Sequence, residues 1–248
     1  MPDIVISNEG PVRKIRMNRS EKKNALTLAM YETMAAAIED AGTQTSVRCL
    51  LLAGAPDVFC AGNDLNDFVA MARSGALGAS IVRFLHVLAR CEKPLVAAVS
   101  GAAVGIGTTM LLHCDQVIAS DNAVLLTPFV SLGLLPEAGS SLIAPRLIGH
   151  ARAFSLLVMG KPLSATDARA VGIVNAVVPA AELDAQSLAI ARDIAALPPE
   201  SVATARRLMR GSVEEVAARI DEEVEAFRMR LASPEAQAAL AAFLTRKR

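Results

Sequence analysis

Residues 95–112 have the sequence LVAAVSGAAVGIGTTMLL, which contains no charged side chain and is long enough to be considered as a membrane-spanning helix. The composition changes midway along this segment. Residues 95–99 form a β-rich run, Ser100 and Gly101 interrupt it, and Gly105 and Gly107 break up the residues that follow. We therefore interpret the segment as a buried strand, a turn and the start of a helix, and not as a membrane span.

Outside this segment, short apolar runs alternate with helical patterns, as expected for parallel strands that are joined by helical crossovers. The sequence therefore predicts the α/β class. The predicted strands are residues 4–7, 12–17, 49–53, 95–99, 116–119 and 174–178. After Val178 the pattern is helical only. We predict a core at residues 1–179 and an all-helical C-terminal region at residues 180–248.

The composition excludes several classes of protein. The chain has 248 residues, long for one domain and short for two, with 53% hydrophobic residues and a mean hydropathy of +0.40, so a large core can be buried. Lys plus Arg and Asp plus Glu number 25 each, and aromatic residues are 3% with no Trp. This composition argues against a nucleic-acid surface and favours a small molecule or another copy of the chain as the partner.

The four cysteines, Cys49, Cys60, Cys91 and Cys114, lie far apart and form no C-x-x-C pair, nor is there a neighbouring His at ligand spacing. We interpret them as reduced core residues and predict no metal site. Residues 1–10, MPDIVISNEG, carry Pro and acidic residues where a secretory signal needs positive charge followed by an apolar run. A cytoplasmic location without a membrane partner is therefore expected.

Two segments pass from a predicted strand into a helix through small residues: 57–65 (DVFCAGNDL) and 100–108 (SGAAVGIGT). Small residues let a ligand approach the backbone, and free N–H groups at such a junction can bind a developing anion. For the first segment taken alone, an ordinary strand–helix turn is the better explanation. The second is not a dinucleotide fingerprint, because Met110 stands where the third Gly is required. The two junctions could face each other.

Glu137 is the one carboxylate in residues 128–141, PFVSLGLLPEAGSS. Two explanations remain open. Pro136 could occupy the first position of a helix, with Glu137 stabilised by the helix dipole by about 0.3–1 kcal/mol. Alternatively, Glu137 is a desolvated base, in which case burial raises its pKa instead. We interpret His86, His113 and His150 as helix-face residues, because none has a visible acidic or nucleophilic partner in the sequence.

Several motifs follow one another in order along nearly the whole chain. They are residues 18–26 (NRSEKKNAL), 59–65 (FCAGNDL), 93–107 (KPLVAAVSGAAVGIG), 114–115 (CD) and 132–141 (LGLLPEAGSS). In this order they resemble the crotonase superfamily of enoyl-CoA hydratases and isomerases. The resemblance implies a spiral of ββα units with the acyl-CoA site, a helical C-terminal region for oligomerisation, and a homotrimer or dimer of trimers.

The resemblance also implies site residues. The backbone N–H groups of Asn63 and Ile106 would form an oxyanion hole, and Ile106 in place of the usual Gly could narrow the acyl pocket. Coenzyme A is part of the acyl-CoA substrate, so no separate cofactor is predicted. Residues implied to contact it are Lys22, Ala25, Ala61, Asp64 and Leu65, with Asp64 given a structural role and no role in proton transfer.

Departures from the family pattern decide which reaction is expected. The two carboxylate positions of typical hydratases hold Thr109 and Phe129 here, and neither residue is a credible general base for hydration. By contrast, residues 132–141 resemble the L-G-x-x-P-E-x-x-S-S motif of peroxisomal-type 3,2-enoyl-CoA isomerases. The resemblance therefore implies that Glu137 alone moves the proton from the α-carbon to the γ-carbon of a 3-enoyl-CoA.

Alternatives to this reaction remain. Another crotonase reaction is possible, such as enoyl-CoA hydration, dienoyl-CoA isomerisation or thioester hydrolysis, and so is a non-catalytic acyl-CoA-binding protein.

At the C-terminus, Arg246 and Lys247 resemble the basic end of the family that reaches a coenzyme A phosphate, although a solvated terminus explains them equally well. We also expect self-association through the helical tail, because its apolar residues have no predicted strand to cover: Leu183, Leu188, Ile194, Val216, Ile220 and Phe227.

Overall fold

The computed structural model describes residues 1–74 and 76–246, without the side chains of residues 65, 72–74, 240 and 243–246. The strands are β1 (Ile4–Glu9), β2 (Val12–Met17), β3 (Cys49–Ala53), β4 (Val58–Cys60), β5 (Leu95–Val99), β6 (Ala102–Val104), β7 (Gln116–Ser120), β8 (Val124–Leu126), β9 (Leu163–Ser164) and β10 (Ala176–Val178).

The helices are α1 (Leu28–Thr43), α2 (Leu65–Ser74), α3 (Ala79–Arg90), α4 (Ile106–Thr109), α5 (Ser140–Ile148), α6 (His150–Leu157), α7 (Ala165–Ala170), α8 (Leu183–Ala196), α9 (Pro199–Arg210), α10 (Val213–Leu231) and α11 (Pro234–Arg246). Short 3₁₀ turns lie at Ser20–Lys22, Met110–His113, Val130–Leu132 and Ala180–Glu182. None of these helices, within the described part of the chain, is both long and apolar enough to cross a membrane.

The strands form two sheets, and most neighbouring strands within each sheet are parallel. The larger sheet has the order β1-β2-β3-β5-β7-β10, and the smaller has the order β4-β6-β8-β9. Each of the consecutive pairs β3–β4, β5–β6 and β7–β8 gives its first strand to the larger sheet and its second to the smaller one, and helices then lead to the next pair. The α/β class and the spiral of ββα units are thus confirmed.

Most predicted strands are found close to their predicted bounds, with one clear difference at the last. The predicted strand 174–178 begins only at Ala176, because the N–H of Val174 donates to the carbonyl of Ala168 at the end of α7. No strand follows Val178 in the described residues, as predicted. Residues 95–112 are not one helix but β5, β6, α4 and the start of a 3₁₀ turn.

The smaller sheet was absent from the predictions. Its strands have only two or three residues, so none is long enough to show an alternating pattern. Residues 102–104, predicted to belong to a junction, form its strand β6 between β4 and β8. The junction into the helix is therefore shorter than predicted and consists of Gly105 alone.

The C-terminal helices cover the core of their own chain. Helix α8 packs on β3, β5 and β7, α10 packs on α3 and α5, and α11 packs on the 3₁₀ turn Val130–Leu132. Leu183, Ile220 and Phe227 are buried in these contacts. The premise that the tail has no strand to cover is therefore wrong, since α8 covers one face of the larger sheet. Large apolar residues that stay exposed in this region include Leu208, Met209 and Met229.

Candidate active site

A pocket of about 210 Å³ lies where β4 and β6 end and the following helices begin. Its wall brings the two junctions of small residues together, as the sequence suggested. The lining residues are Ala61, Gly62 and Asn63 from one junction, Val104, Gly105 and Ile106 from the other, and Phe68, Pro128, Phe129, Ser131, Leu132, Leu134 and Phe227. No carboxylate is among these described residues, so the pocket wall is largely apolar.

Two residues of the pocket wall have a backbone N–H group without a hydrogen-bond partner among the described residues. Among the hydrogen bonds of the described residues, none uses the N–H of Asn63 or that of Ile106. Asn63 lies between Gly62, whose carbonyl accepts from Leu26 at 2.8 Å, and Asp64, whose N–H donates to the Leu26 carbonyl at 2.8 Å. Ile106 is the first residue of α4, where an N–H has no partner within its own helix.

The side chain of Asn63 is held by Tyr31, the single tyrosine of the chain. The Tyr31 hydroxyl donates a 2.6 Å hydrogen bond to Oδ1 of Asn63. Burial, together with the nearby charge of Glu137 and of Cys60, raises the pKa of Tyr31 well above its usual value, so the hydroxyl stays protonated. Sequence analysis missed this residue, because its position on α1 is equally well explained by core packing.

Glu137 is buried next to the pocket, with 5% of its surface exposed. Within the described part of the chain, its Oε1 atom has no hydrogen-bond partner. Burial, and then the negative charge of Glu223, raises the pKa of Glu137 to about 8, whereas the Thr109 side chain lowers it. Glu137 itself is not among the residues that line the pocket, and the Thr109 side chain that acts on it lies on α4, the helix that begins with Ile106.

The helix explanation for Glu137 is wrong. Helix α5 begins at Ser140, and Pro136 lies outside it. The backbone turns sharply between these residues, because Ala138 and Gly139 have φ angles of 62° and 68°. The environment of Glu137 is therefore that of a desolvated carboxyl group, and the pKa is raised instead of lowered.

Two side chains that sequence analysis did not identify hold the turn after Glu137. Nε2 of His113 lies 2.7 Å from the carbonyl of Ala138, and the carboxylate of Glu223 accepts from the N–H groups of Gly139 and Ser141 at 2.6 and 2.9 Å. Burial lowers the pKa of His113 to about 4, so the ring is neutral and Nε2–H is the donor.

The expectation that none of the histidines has an acidic partner is wrong for His86. His113 donates to a backbone carbonyl, and Nε2 of His86 lies 2.8 Å from Oδ1 of Asp221. These partners are 25 and 135 residues away in sequence, so no local pattern could reveal them. His86 and Asp221 lie on α3 and α10, whose packing brings them together.

Among the described residues that were implied to contact coenzyme A, Ala61 lines the pocket, whereas Lys22, Ala25 and Asp64 do not. The N–H of Ala61 donates to the Lys23 carbonyl at 3.0 Å. Lys22 is exposed on the 3₁₀ turn, and its carbonyl accepts from the N–H of half-buried Ala25 at 3.0 Å. The side chain of Leu65 lies outside the described residues, as do the Arg246 side chain and Lys247.

Asp64 forms an ion pair and hydrogen bonds within the protein and does not line the pocket. Burial on its own would raise the pKa of Asp64, but hydrogen bonds from Arg19 and from the Asn66 N–H, with the Arg19 charge, hold it below its usual value. Nη1 of Arg19 lies 2.7 Å from Oδ2 of Asp64. The pair joins residues 18–26 to the junction that presents Asn63.

The positions of the two hydratase carboxylates hold residues that cannot transfer a proton at neutral pH. Thr109 is fully buried beside Glu137, and Phe129 forms part of the pocket wall. Neither position therefore supplies a second carboxylate in addition to Glu137.

Comparison with known proteins identifies the family of this chain. A family model described as "Enoyl-CoA hydratase/isomerase" matches residues 7–248. The chain is 38% identical to "Enoyl-CoA delta isomerase 2" of Rattus norvegicus, over 98% of this chain and 64% of that protein. It is 34% identical to "Enoyl-CoA delta isomerase 3, peroxisomal" of Mus musculus, over 99% of this chain and 79% of that protein. The chain thus spans less than two thirds of the rat protein.

A solved structure gives the same result at the level of the fold. An enoyl-CoA hydratase/isomerase from Pseudoalteromonas atlantica T6c superposes with a TM-score of 0.93 and 40% identity, and the match covers 99% of this chain and 98% of the other. With the family model matching almost the entire length and the spiral fold shared, the chain is an enzyme of the enoyl-CoA hydratase/isomerase family, within the crotonase superfamily.

Proposed function

We propose that this enzyme isomerises 3-enoyl-CoA to 2-enoyl-CoA, with Glu137 as the single proton shuttle. The observation that carries the proposal is a buried carboxyl group with an unpartnered Oε1 and a raised pKa, beside a pocket that presents two free N–H groups. The names of the two curated relatives as delta isomerases support it.

The proposed reaction moves one proton and one double bond. Ionised Glu137 takes a proton from the α-carbon, and the electron pair of that C–H bond is delocalised into the thioester carbonyl. The N–H groups of Asn63 and Ile106 stabilise the resulting oxyanion, a contribution of about 2.7–4 kcal/mol for each donor in comparable sites. Protonated Glu137 then delivers the proton to the γ-carbon on the same face, which leaves the double bond between the α- and β-carbons.

A raised pKa suits a group that must both accept and return a proton, because neither form is then strongly favoured at the working pH. Tyr31 supports the oxyanion hole by holding the Asn63 side chain. We further propose that the coenzyme A moiety passes Lys22, Ala25, Ala61 and Leu65, with Asp64 acting through its ion pair with Arg19.

Assembly into a homotrimer or dimer of trimers through residues 180–248 is also proposed. The exposed apolar side chains of Leu208, Met209 and Met229 support this proposal, because such side chains in one region are typical of an interface.

The central test is the variant Glu137→Gln, which keeps the size of the side chain but cannot accept a proton. We expect a loss of about 10²–10⁴-fold in kcat for 3-enoyl-CoA, with substrate affinity within a few fold of the wild type. Glu182→Gln, at an exposed 3₁₀ turn, is the control and should leave both parameters unchanged. Undiminished isomerisation by Glu137→Gln would contradict the proposal.

The same assay separates the alternatives. Rapid hydration of 2-enoyl-CoA by the wild type would identify a hydratase, and binding of acyl-CoA without any turnover would identify a non-catalytic binder. For the isomerase, we expect poor hydration, because Thr109 and Phe129 cannot activate a water molecule.

A further inference from the structure

We propose that Glu223 is a positioning residue for Glu137: its carboxylate holds the backbone turn that follows Glu137 and places a fixed negative charge beside that carboxyl group. The proposal rests on the proposed function in that Glu137 is taken as the base. Glu223 belongs to α10, in the helical C-terminal region, and it does not line the pocket.

The contact is a bidentate one with two backbone donors. Oε2 of Glu223 accepts from the N–H of Gly139 at 2.6 Å, and Oε1 accepts from the N–H of Ser141 at 2.9 Å. Hydrogen bonds to an ionised acceptor are stronger than those between neutral groups. Glu223 is 7% exposed, so little water competes for these donors. The carboxylate therefore fixes the backbone two and four residues after Glu137.

The turn needs such a contact because of its backbone conformation. Ala138 has a φ of 62°, a left-handed conformation that costs a residue with a Cβ atom free energy and persists only where the surroundings enforce it. His113 donates to the carbonyl of Ala138, and Glu223 accepts from the N–H of Gly139. The two side chains therefore bind opposite sides of the one peptide group that joins Ala138 to Gly139.

Helix α10 also packs closely on this turn. A Cβ atom at Gly139 would lie 3.1 Å from Cγ1 of Val216 and 3.6 Å from Cγ1 of Ile220. The turn therefore lies close against α10, and the carboxylate of Glu223 binds it to that helix. The direction in which Glu137 leaves the backbone is set by these contacts.

The charge of Glu223 acts on Glu137 in surroundings that hold few other charges. Tyr31 on α1 and Cys60 on β4 also face Glu137, but burial raises the pKa of both groups, so both are neutral near pH 7. His113 is neutral as well. Burial raises the pKa of Glu223 above its usual value, although its bonds to Ser141 and Gly139 and the charge of Arg219 act in the opposite direction.

The test is the variant Glu223→Gln, which removes the charge and replaces one acceptor oxygen with an NH₂ group. We expect the titration of Glu137 to move to lower pH by about 0.5–1 unit, because a like charge disfavours ionisation. Turnover measured above pH 8, where Glu137 is ionised in both proteins, should fall several fold while KM changes less than twofold. Glu225→Gln, an exposed glutamate on the same helix that pairs with Arg228, is the matched control and should shift neither quantity.

The titration is measured by infrared spectroscopy as the carbonyl stretch of the protonated Glu137 carboxyl, assigned by its loss in Glu137→Gln. This readout does not depend on catalysis. A shift in the infrared titration with no isomerase activity in any form would support the positioning of Glu137 while refuting the proposed function. An unshifted titration in a folded Glu223→Gln protein would overturn the positioning proposal.

A second variant covers the case in which Glu223→Gln does not fold. Glu223→Asp keeps the charge but shortens the side chain, so it should leave the titration of Glu137 within about 0.3 unit of the wild type and lower kcat. A purely structural role predicts a lower melting temperature for this variant with unchanged kcat, and that result would contradict the proposal.

Discussion

Glu137 lies in surroundings that oppose its charge, and its protonation state should therefore limit the rate near neutral pH. Because the pKa is raised to about 8 and the base must be ionised, we expect kcat to rise with pH and to level off above about pH 8. The measurement is kcat for 3-enoyl-CoA between pH 6 and pH 10. A plateau that already begins near pH 5 would contradict the raised pKa.

The raised pKa of Glu137 also makes the free energy of unfolding depend on pH. The carboxyl group has an ordinary pKa of 4.5 and a folded value of about 8, so the folded protein binds more protons than the unfolded chain between these values. The free energy of unfolding therefore falls as pH rises through this window.

Glu137→Gln removes this cost of ionisation. The stability of the variant relative to the wild type should increase from pH 5 to pH 8, by up to about 1.4 kcal/mol for each pKa unit of the shift. Urea unfolding at the two pH values measures the difference. A difference that does not change with pH would show that Glu137 is not buried in the manner described.

Sequence analysis could propose Glu137, Asn63 and Ile106 as site residues because each lies in a short motif that resembles one of the family. Tyr31 and Glu223 could not be identified in this way. Their hydrogen bonds span 32 and 84 residues, and each residue occupies a helix position that core packing or solvation explains equally well. Only the fold shows which acceptor or donor each side chain meets.

At the scale of secondary-structure elements, the position of α4 depends on Gly107. A Cβ atom there would lie 2.8 Å from the carbonyl oxygen of Cys60 and 2.9 Å from its Cβ atom. Gly107→Ala should therefore push α4 away from the end of β4, moving the Ile106 N–H. We expect a loss of about 1–3 kcal/mol in the free energy of unfolding and reduced kcat.

The matched control is Gly42→Ala, because Gly42 lies within α1 and a Cβ atom there has open space. Alanine at this position should raise stability by about 0.5–1 kcal/mol, since it favours the helix more than glycine does. Chemical denaturation and steady-state kinetics compare the two variants. Equal effects of the two substitutions would contradict the close approach of α4 to β4.

The larger sheet could be predicted because its buried strands are five or six residues long, apart from β10. The smaller sheet could not. In the larger sheet, β3, β5 and β7 lie side by side. The chain segments that continue from them, β4, β6 and β8, therefore also lie side by side and pair in parallel. Pairing of this kind is a property of the spiral and not of the local sequence.

At the scale of the whole molecule, we expect exposed residues of α9 to mediate assembly. Leu208 and Met209 are 75% and 81% exposed, and their apolar surface would be buried against another copy of the chain. Replacing both with Ser should lower the mass measured by sedimentation toward that of the 26.0 kDa chain. Met159→Ser, outside the C-terminal region and 54% exposed, is the control. An unchanged mass for the double variant would place the interface elsewhere.

The positions of Phe227 and Glu223 have a consequence for biosynthesis. A ribosome makes the two junctions and Glu137 long before it makes α10, which supplies a wall of the pocket and the bonds to the turn after Glu137. The nascent chain therefore cannot have a finished site until α10 has left the exit tunnel and packed. A messenger truncated before this helix would yield a polypeptide with both junctions and Glu137 but without the bonds from Glu223 to the turn that follows Glu137.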